Sequence, residues 1–174
     1  VNMLGDVHGG AGEQCAELYL DIAARIDGGV DLEKAVIDGI AAWRENHGKI
    51  VSGFGHRFHK PVDPRAPRLI ALVRGAAEAG TVSGRFAEIG EAVQREIGVG
   101  RGTPIAMNID GATAVIFCEL GFPPPLARGL FCLSRSVGVL AHGWEQMQQG
   151  GRNKGPMPPK FLPVYEAAPK KSDN

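Results

Sequence analysis

The sequence has no excess of either charge: Lys and Arg together number 19, as do Asp and Glu, among 174 residues. A balanced chain carries no global field for a polyanion. That argues against nucleic acid and against an anionic membrane as partners, and leaves any anion site to be built locally. Long apolar runs are missing as well. None reaches the roughly 18 residues a spanning helix needs, and the opening VNMLGDVHGG has no basic stretch followed by an apolar one, so the chain reads as soluble. Cysteine is scarce: Cys15, Cys118 and Cys132 are odd in number, widely spaced and set among apolar neighbours, with no CxxC pair. They read as reduced core residues of a cytoplasmic protein. No HExxH occurs and the histidines are far apart in sequence, so no metal site is expected.

What the chain does have is enough apolar content, 44%, for one substantial core. Cys15, Leu18, Ile22 and Ile26 recur at spacings of three and four, which predicts an amphipathic helix over 12–26, ended by Gly28-Gly29. Asp31 is placed to cap a second helix through residue 46, with Ala35, Val36, Ile40 and Trp43 on its buried side. Residues 48–68 mix glycine, proline, histidine and basic side chains without helical period and read as an ordered, function-bearing loop. Helical patterns resume at Leu69, Ile70, Val73 and Ala77, and again at Phe86, Ile89, Val93 and Ile97. The apolar run in MNIDGATAVIFCELGF fits a buried strand or a buried helix. From 125 to 149, Leu126, Leu130, Leu133, Val137, Leu140 and Trp144 predict a long core helix, followed by a proline-rich arm. The class is all-α, with about six helices.

Three segments place a proton-handling side chain among backbone-constraining residues: GDVHGGAGEQ around His8, GFGHRFHKPVDPR around His56, and NIDG around Asp110. Each alone is weak, since a histidine beside glycines is ordinarily a turn residue and Asp110 before Gly111 reads first as a helix N-cap. Gly53 and Gly55 lack the third glycine and the strand-to-helix setting of a dinucleotide fingerprint.

Taken in order, HGGA, GxGHR with DPR shortly after, NIDG, and a long helix bearing SRSVG resemble the citrate synthase superfamily from about residue 5 to 146. The small and apolar residues after NIDG are closer to citryl-CoA lyases and the citryl-CoA-cleaving domain of ATP-citrate lyase than to true citrate synthases. The resemblance implies a citrate-synthase-like helical fold, here a partial domain. Residues 48–104 would form the small-domain and CoA-loop region, 105–150 core helices, and 151–174 a C-terminal arm.

It also implies roles. Asp110 would exchange a proton with the acetyl methyl group, a task for a carboxylate tuned by a dry site. His8 would stabilise the enolate-like thioester oxygen, and His56 would polarise the oxaloacetate carbonyl or the citryl hydroxyl. Arg65 and Arg135 would hold substrate carboxylates with their planar forks. For Arg135, a lone cation between Leu133 and Val137, burial without an anion would be costly. The backbone of Gly53, Phe54 and Gly55 would meet the adenine of CoA, and Arg57, Lys60 and Arg101 its phosphates. His47, His59 and His142 read as structural.

Two departures stand out. The family's upstream substrate histidine has no counterpart, and the arm offers only Arg152, Lys154 or Lys160 where relatives carry an arginine. The expected function is citryl-CoA lyase, with citrate or 2-methylcitrate synthase, or a non-catalytic CoA-binding subunit, as alternatives. The CoA thioester and a dicarboxylate are substrates, no cofactor is bound permanently, and the unit is a homodimer or larger homo-oligomer. The chain, which opens on Val1 and a motif that relatives carry mid-chain, is expected to belong to a longer polypeptide.

Overall fold

The structure, a computed structural model, describes residues 5, 9–102 and 104–150. Among them it forms six helices, α1 (Ala11–Asp27), α2 (Leu32–His47), α3 (Arg65–Glu78), α4 (Arg85–Gly98), α5 (Ile109–Glu119) and α6 (Pro124–Gln148), with two isolated bridges and no longer strand. The chain divides into a compact unit, Val1–Gly138, and a second unit, Val139–Asn174, of which 139–150 is described. The class is the all-α one expected.

In the first unit α1 is the hub, packing on α2, α4 and α5, while α3 packs on α5 and α4. Of the stripe predicted for α1, Cys15, Leu18 and Ile22 are at most 2% exposed and Ile26 is partly buried, and Tyr19, fully buried, joins them. They meet Val36 and Ile40 of α2, Ile89 and Val93 of α4, and Val115 of α5 in one cluster. Each such side chain contributes about 1.5–3 kcal/mol by leaving water. Asp31 caps α2 as predicted, its carboxylate accepting from the Lys34 N–H at 2.9 Å.

Three expectations are corrected. The loop after α2 is shorter than predicted, because α3 begins at Arg65, with Pro67 in its first turn. There a proline is tolerated, since those N–H groups have no intrahelical acceptor. The run after NIDG, left open between strand and helix, is helix α5, and its N-cap is Asn108, not Asp110. Finally, α6 has the predicted period, but its apolar stripe is not core. Ala127 is its buried residue, and Leu126, Leu133, Val137, Leu140 and Trp144 are exposed. A periodic pattern reveals a stripe and says nothing of what covers it.

One further contact orders the α3–α4 turn. The Glu119 carboxylate, at the end of α5, accepts from the N–H groups of Ser83 (3.1 Å), Gly84 (3.0 Å) and Phe86 (2.7 Å) and from the Ser83 hydroxyl (2.8 Å). It serves as a cap for α4, whose own N-cap, Gly84, has no side chain to offer.

Candidate active site

The GFG loop and the segment before α5 are stitched together. Gly55 N–H donates to Ala106 O at 2.7 Å and Asn108 N–H to Gly53 O at 3.0 Å, around an antiparallel bridge that sets Phe54 opposite Met107. In that pairing the N–H and C=O of Phe54 point to the other edge. The Asn108 side chain completes the join. Its Nδ2 donates to Gly55 O at 2.6 Å, while its Oδ1 accepts from the N–H of Asp110 (2.9 Å) and Gly111 (3.2 Å). The approach is too close for side chains: a Cβ on Gly111 would lie 2.3 Å from Gly53 O, and one on Gly53, at φ +90°, 2.5 Å from Cys15 Sγ.

Asp63 holds α3 to this junction. Its buried Oδ1 accepts from Arg65 N–H (3.1 Å) and Nε (2.9 Å), and its Oδ2 from Arg65 Nη2 (2.8 Å) and Ile109 N–H (3.0 Å). The Arg65 guanidinium keeps this carboxyl well below the usual range. One edge of the Arg65 fork is thereby occupied, leaving the Nη1 side for any further anion.

Asp110 therefore sits in the first turn of α5, half-buried. Burial pushes its carboxyl above the ordinary carboxylate range, and the Arg65 and Arg135 guanidiniums pull it part of the way back. Arg65 and Arg135 thus act on Asp110 through their charge, and Arg135 shares a cavity with it, whereas His56 lines a separate one. Asp110 and Arg135 line a cavity of about 170 Å3 together with Gly9, Thr113 and Phe131. The Arg135 guanidinium lies 4.2 Å from the Phe131 ring centre. Arg135 is exposed, so the burial cost expected from its apolar neighbours in sequence does not arise.

His56 Nδ1 accepts from the N–H groups of Phe58 and His59, both at 3.0 Å. An imidazole nitrogen that accepts carries no proton, so the ring is the Nε2–H tautomer. It lines a second cavity, of about 560 Å3, with Gly55, His59, Lys60, Asp63 and Arg101. Lys60 and Arg101 thus share a cavity with the GFG loop, whereas Arg57 is exposed and lines neither cavity. His8, Arg152, Lys154 and Lys160 lie outside the described residues. Among the described residues no three His, Cys, Asp or Glu side chains gather as a metal site requires, and no helix is long and apolar enough to cross a membrane.

Asn108 and Asp63 are the junction residues that sequence reasoning passed over. The signal for Asn108 was a cap residue directly before the apolar run, legible only once that run is known to be a helix. For Asp63 it was the acid two residues before Arg65, a spacing that allows the bidentate pair.

The chain matches the family described as "Citrate synthase, C-terminal domain" over residues 2–156. It is 30% identical over 166 residues to the citrate synthase of Saccharolobus solfataricus, covering 93% of this chain and 41% of that protein. Its fold is similar to citryl-CoA lyase from Hydrogenobacter thermophilus, with a TM-score of 0.67 and 26% identity over 99% of this chain and 63% of that one. It is also similar to citrate synthase from Thermoplasma acidophilum, solved as a ternary complex with carboxymethyl coenzyme A and oxaloacetate. There the TM-score is 0.63 and the identity 26%, over 94% of this chain and 42% of that one. The chain spans less than half the length of the curated relatives it matches. On the match over residues 2–156 the chain belongs to the citrate synthase family, through that family's C-terminal domain.

Proposed function

We propose that the polypeptide carrying this chain is a citryl-CoA lyase, cleaving citryl-CoA to acetyl-CoA and oxaloacetate. The observation that carries the reading is Asp110: a half-buried carboxyl that lines a cavity with Arg135 and Thr113 and is raised above the ordinary range by burial. Retro-Claisen cleavage breaks the bond between the carbinol carbon and the CH2 of the thioester arm. The electron pair moves onto the thioester as an enolate, and that carbon must then gain a proton. A carboxyl that holds its proton to higher pH is suited to deliver it. His56 offers Nε2–H to the substrate oxygen, and Arg65 and Arg135 face the carboxylates. The Gly53–Gly55 backbone, with Lys60 and Arg101 in the same cavity and Arg57 nearby, is assigned to CoA. His8 is assigned to the enolate oxygen on the resemblance alone.

The likeness to the Hydrogenobacter lyase over 99% of this chain supports cleavage, as do the small residues after NIDG. Citrate or 2-methylcitrate synthase is the second reading, favoured by the curated relatives, which bear the name citrate synthase. Citryl-CoA given to the full polypeptide separates them: a lyase releases acetyl-CoA and oxaloacetate, a synthase releases citrate and free CoA. CoA binding without turnover of either kind would favour a non-catalytic subunit. A homodimer is proposed as the minimal unit, and light scattering that found a fully active monomer would refute it.

A further inference from the structure

We propose that Glu13 of α1 and Arg128 of α6 are positioning residues for the dicarboxylate site: their ion pair seats α6 so that Arg135 faces Asp110 across the cavity they share. The inference rests on the role in dicarboxylate binding proposed above for Arg135. Among the described residues α6 runs alongside none of the other five helices. Ala127 is its buried residue, and an open cavity of about 170 Å3, not a packed interface, separates its Leu130, Phe131 and Arg135 from Asp110 and Thr113 of α5. A helix held so lightly tilts or slides without opening a core. Its place must nonetheless be set if Arg135 is to meet a carboxylate, because a misplacement of about 1 Å costs on the order of a hundredfold.

Arg128 supplies the tie. Its Nε meets the carboxylate of Glu13, which stands in the first turn of α1, where the positive end of the helix favours an acid. The pair is sheltered, with 15% of the Glu13 side chain and 35% of Arg128 exposed. The pairs Arg25–Asp21 and Lys34–Asp38 lie further out and join residues four apart on one helix, so they position nothing. Gly12, next to Glu13, and Ala127, next to Arg128, both line the Asp110 cavity, so the pair stands at its edge.

Arg128 and Arg135 are seven residues apart in a continuous helix. That spacing puts them on one face, about 10 Å from each other, with Phe131 between them and the Arg135 guanidinium over its ring. A tilt of α6 about the pair therefore swings Arg135 toward or away from Asp110. The cavity of the Gly53–Gly55 loop, assigned to CoA, contains no residue of α1 or α6. Breaking the pair should disturb the dicarboxylate and spare CoA.

The test measures dissociation constants of the full polypeptide for oxaloacetate and for CoA by calorimetry. Arg128→Gln should weaken oxaloacetate binding about tenfold and leave CoA binding within about twofold, and Arg128→Lys, which keeps the charge, should hold oxaloacetate within about threefold of wild type. In an Arg135→Leu background Arg128→Gln should change oxaloacetate affinity by less than about twofold, because the pair acts through Arg135. If Arg128→Gln does not fold, since it strands Glu13, the double variant Glu13→Gln/Arg128→Gln removes both charges and carries the same expectations. Oxaloacetate binding unchanged, oxaloacetate and CoA weakened together, no recovery in Arg128→Lys, or a full further loss in the Arg135→Leu background would each overturn the role. Wild-type protein that binds no oxaloacetate, or Arg135→Leu that binds it as wild type does, would overturn the reading of Arg135 and this inference together. Oxaloacetate binding that depends on Arg135 but is indifferent to Arg128 would overturn this inference alone.

Discussion

Two carboxylates one helical entry apart are driven in opposite directions. Asp110 loses solvent and is pushed up, while Asp63, clasped by Arg65, is held down. Their stability effects have opposite signs. Folded Asp110 keeps its proton to higher pH than the unfolded chain does, so its ionisation costs stability as pH rises above about 4. Asp110→Asn should therefore melt no lower than wild type at pH 7, with any gain vanishing near pH 3, while turnover falls about a hundredfold or more and CoA affinity is kept. Calorimetry beside a cleavage assay checks this, and near-normal turnover would remove Asp110 from the chemistry. Asp63 is the reverse case: its stabilisation is full above about pH 4 and is lost as pH falls below that. Asp63→Asn should cost about 2–3 kcal/mol at pH 7, with the gap to wild type closing in acid, as urea unfolding at pH 7 and 3 would show. Arg135→Leu touches an exposed side chain, so it should weaken dicarboxylate binding and leave the melting temperature unchanged. Equal affinity for the dicarboxylate would take Arg135 out of the site.

At the scale of elements, the site depends on how closely the GFG loop approaches the start of α5. Gly111→Ala would drive a methyl group into Gly53 O, backbone that has no rotamer to yield. It should disrupt the junction and lose both stability and turnover, whereas an alanine at the open position Gly75, inside α3, should be tolerated or slightly stabilising. Parallel melts of the two variants test the contrast. Glu119 offers a purer structural probe, since it orders the α3–α4 turn and none of its four bonds reaches the site residues. Glu119→Ala should cost about 2 kcal/mol, read as a shift in urea midpoint, with site-directed activity per folded molecule retained. Loss of activity without loss of stability would show that the turn does more than support α4.

At the scale of the molecule, the charge-balanced surface carries an unusual apolar helix. Leu133 is 64% exposed and Val137 69%, and in the second unit Leu140 and Trp144 are exposed too. Substituting Leu133 and Val137 with Gln should leave the melting temperature of this 174-residue chain unchanged and raise its solubility, because the variants remove apolar surface from water without opening a core. A marked loss of stability would mean that these side chains are packed in solution.

The helices themselves were legible without coordinates. Spacings of three and four mark α1, α2 and α4 to within a residue or two, and Asp31 announces its own cap, because backbone period and capping chemistry are local. The family motifs likewise singled out His56, Arg65, Asp110 and Arg135 from order along the chain. That Asp63 locks two helix starts together, and that the GFG loop abuts the start of α5, depended on contacts between segments more than 40 residues apart. Local pattern cannot encode these, since the partner atoms belong to another stretch of chain. The raised carboxyl of Asp110 was decided in the same way. A proton's place depends on which donors and charges surround it in space, and only the tertiary structure brings them there.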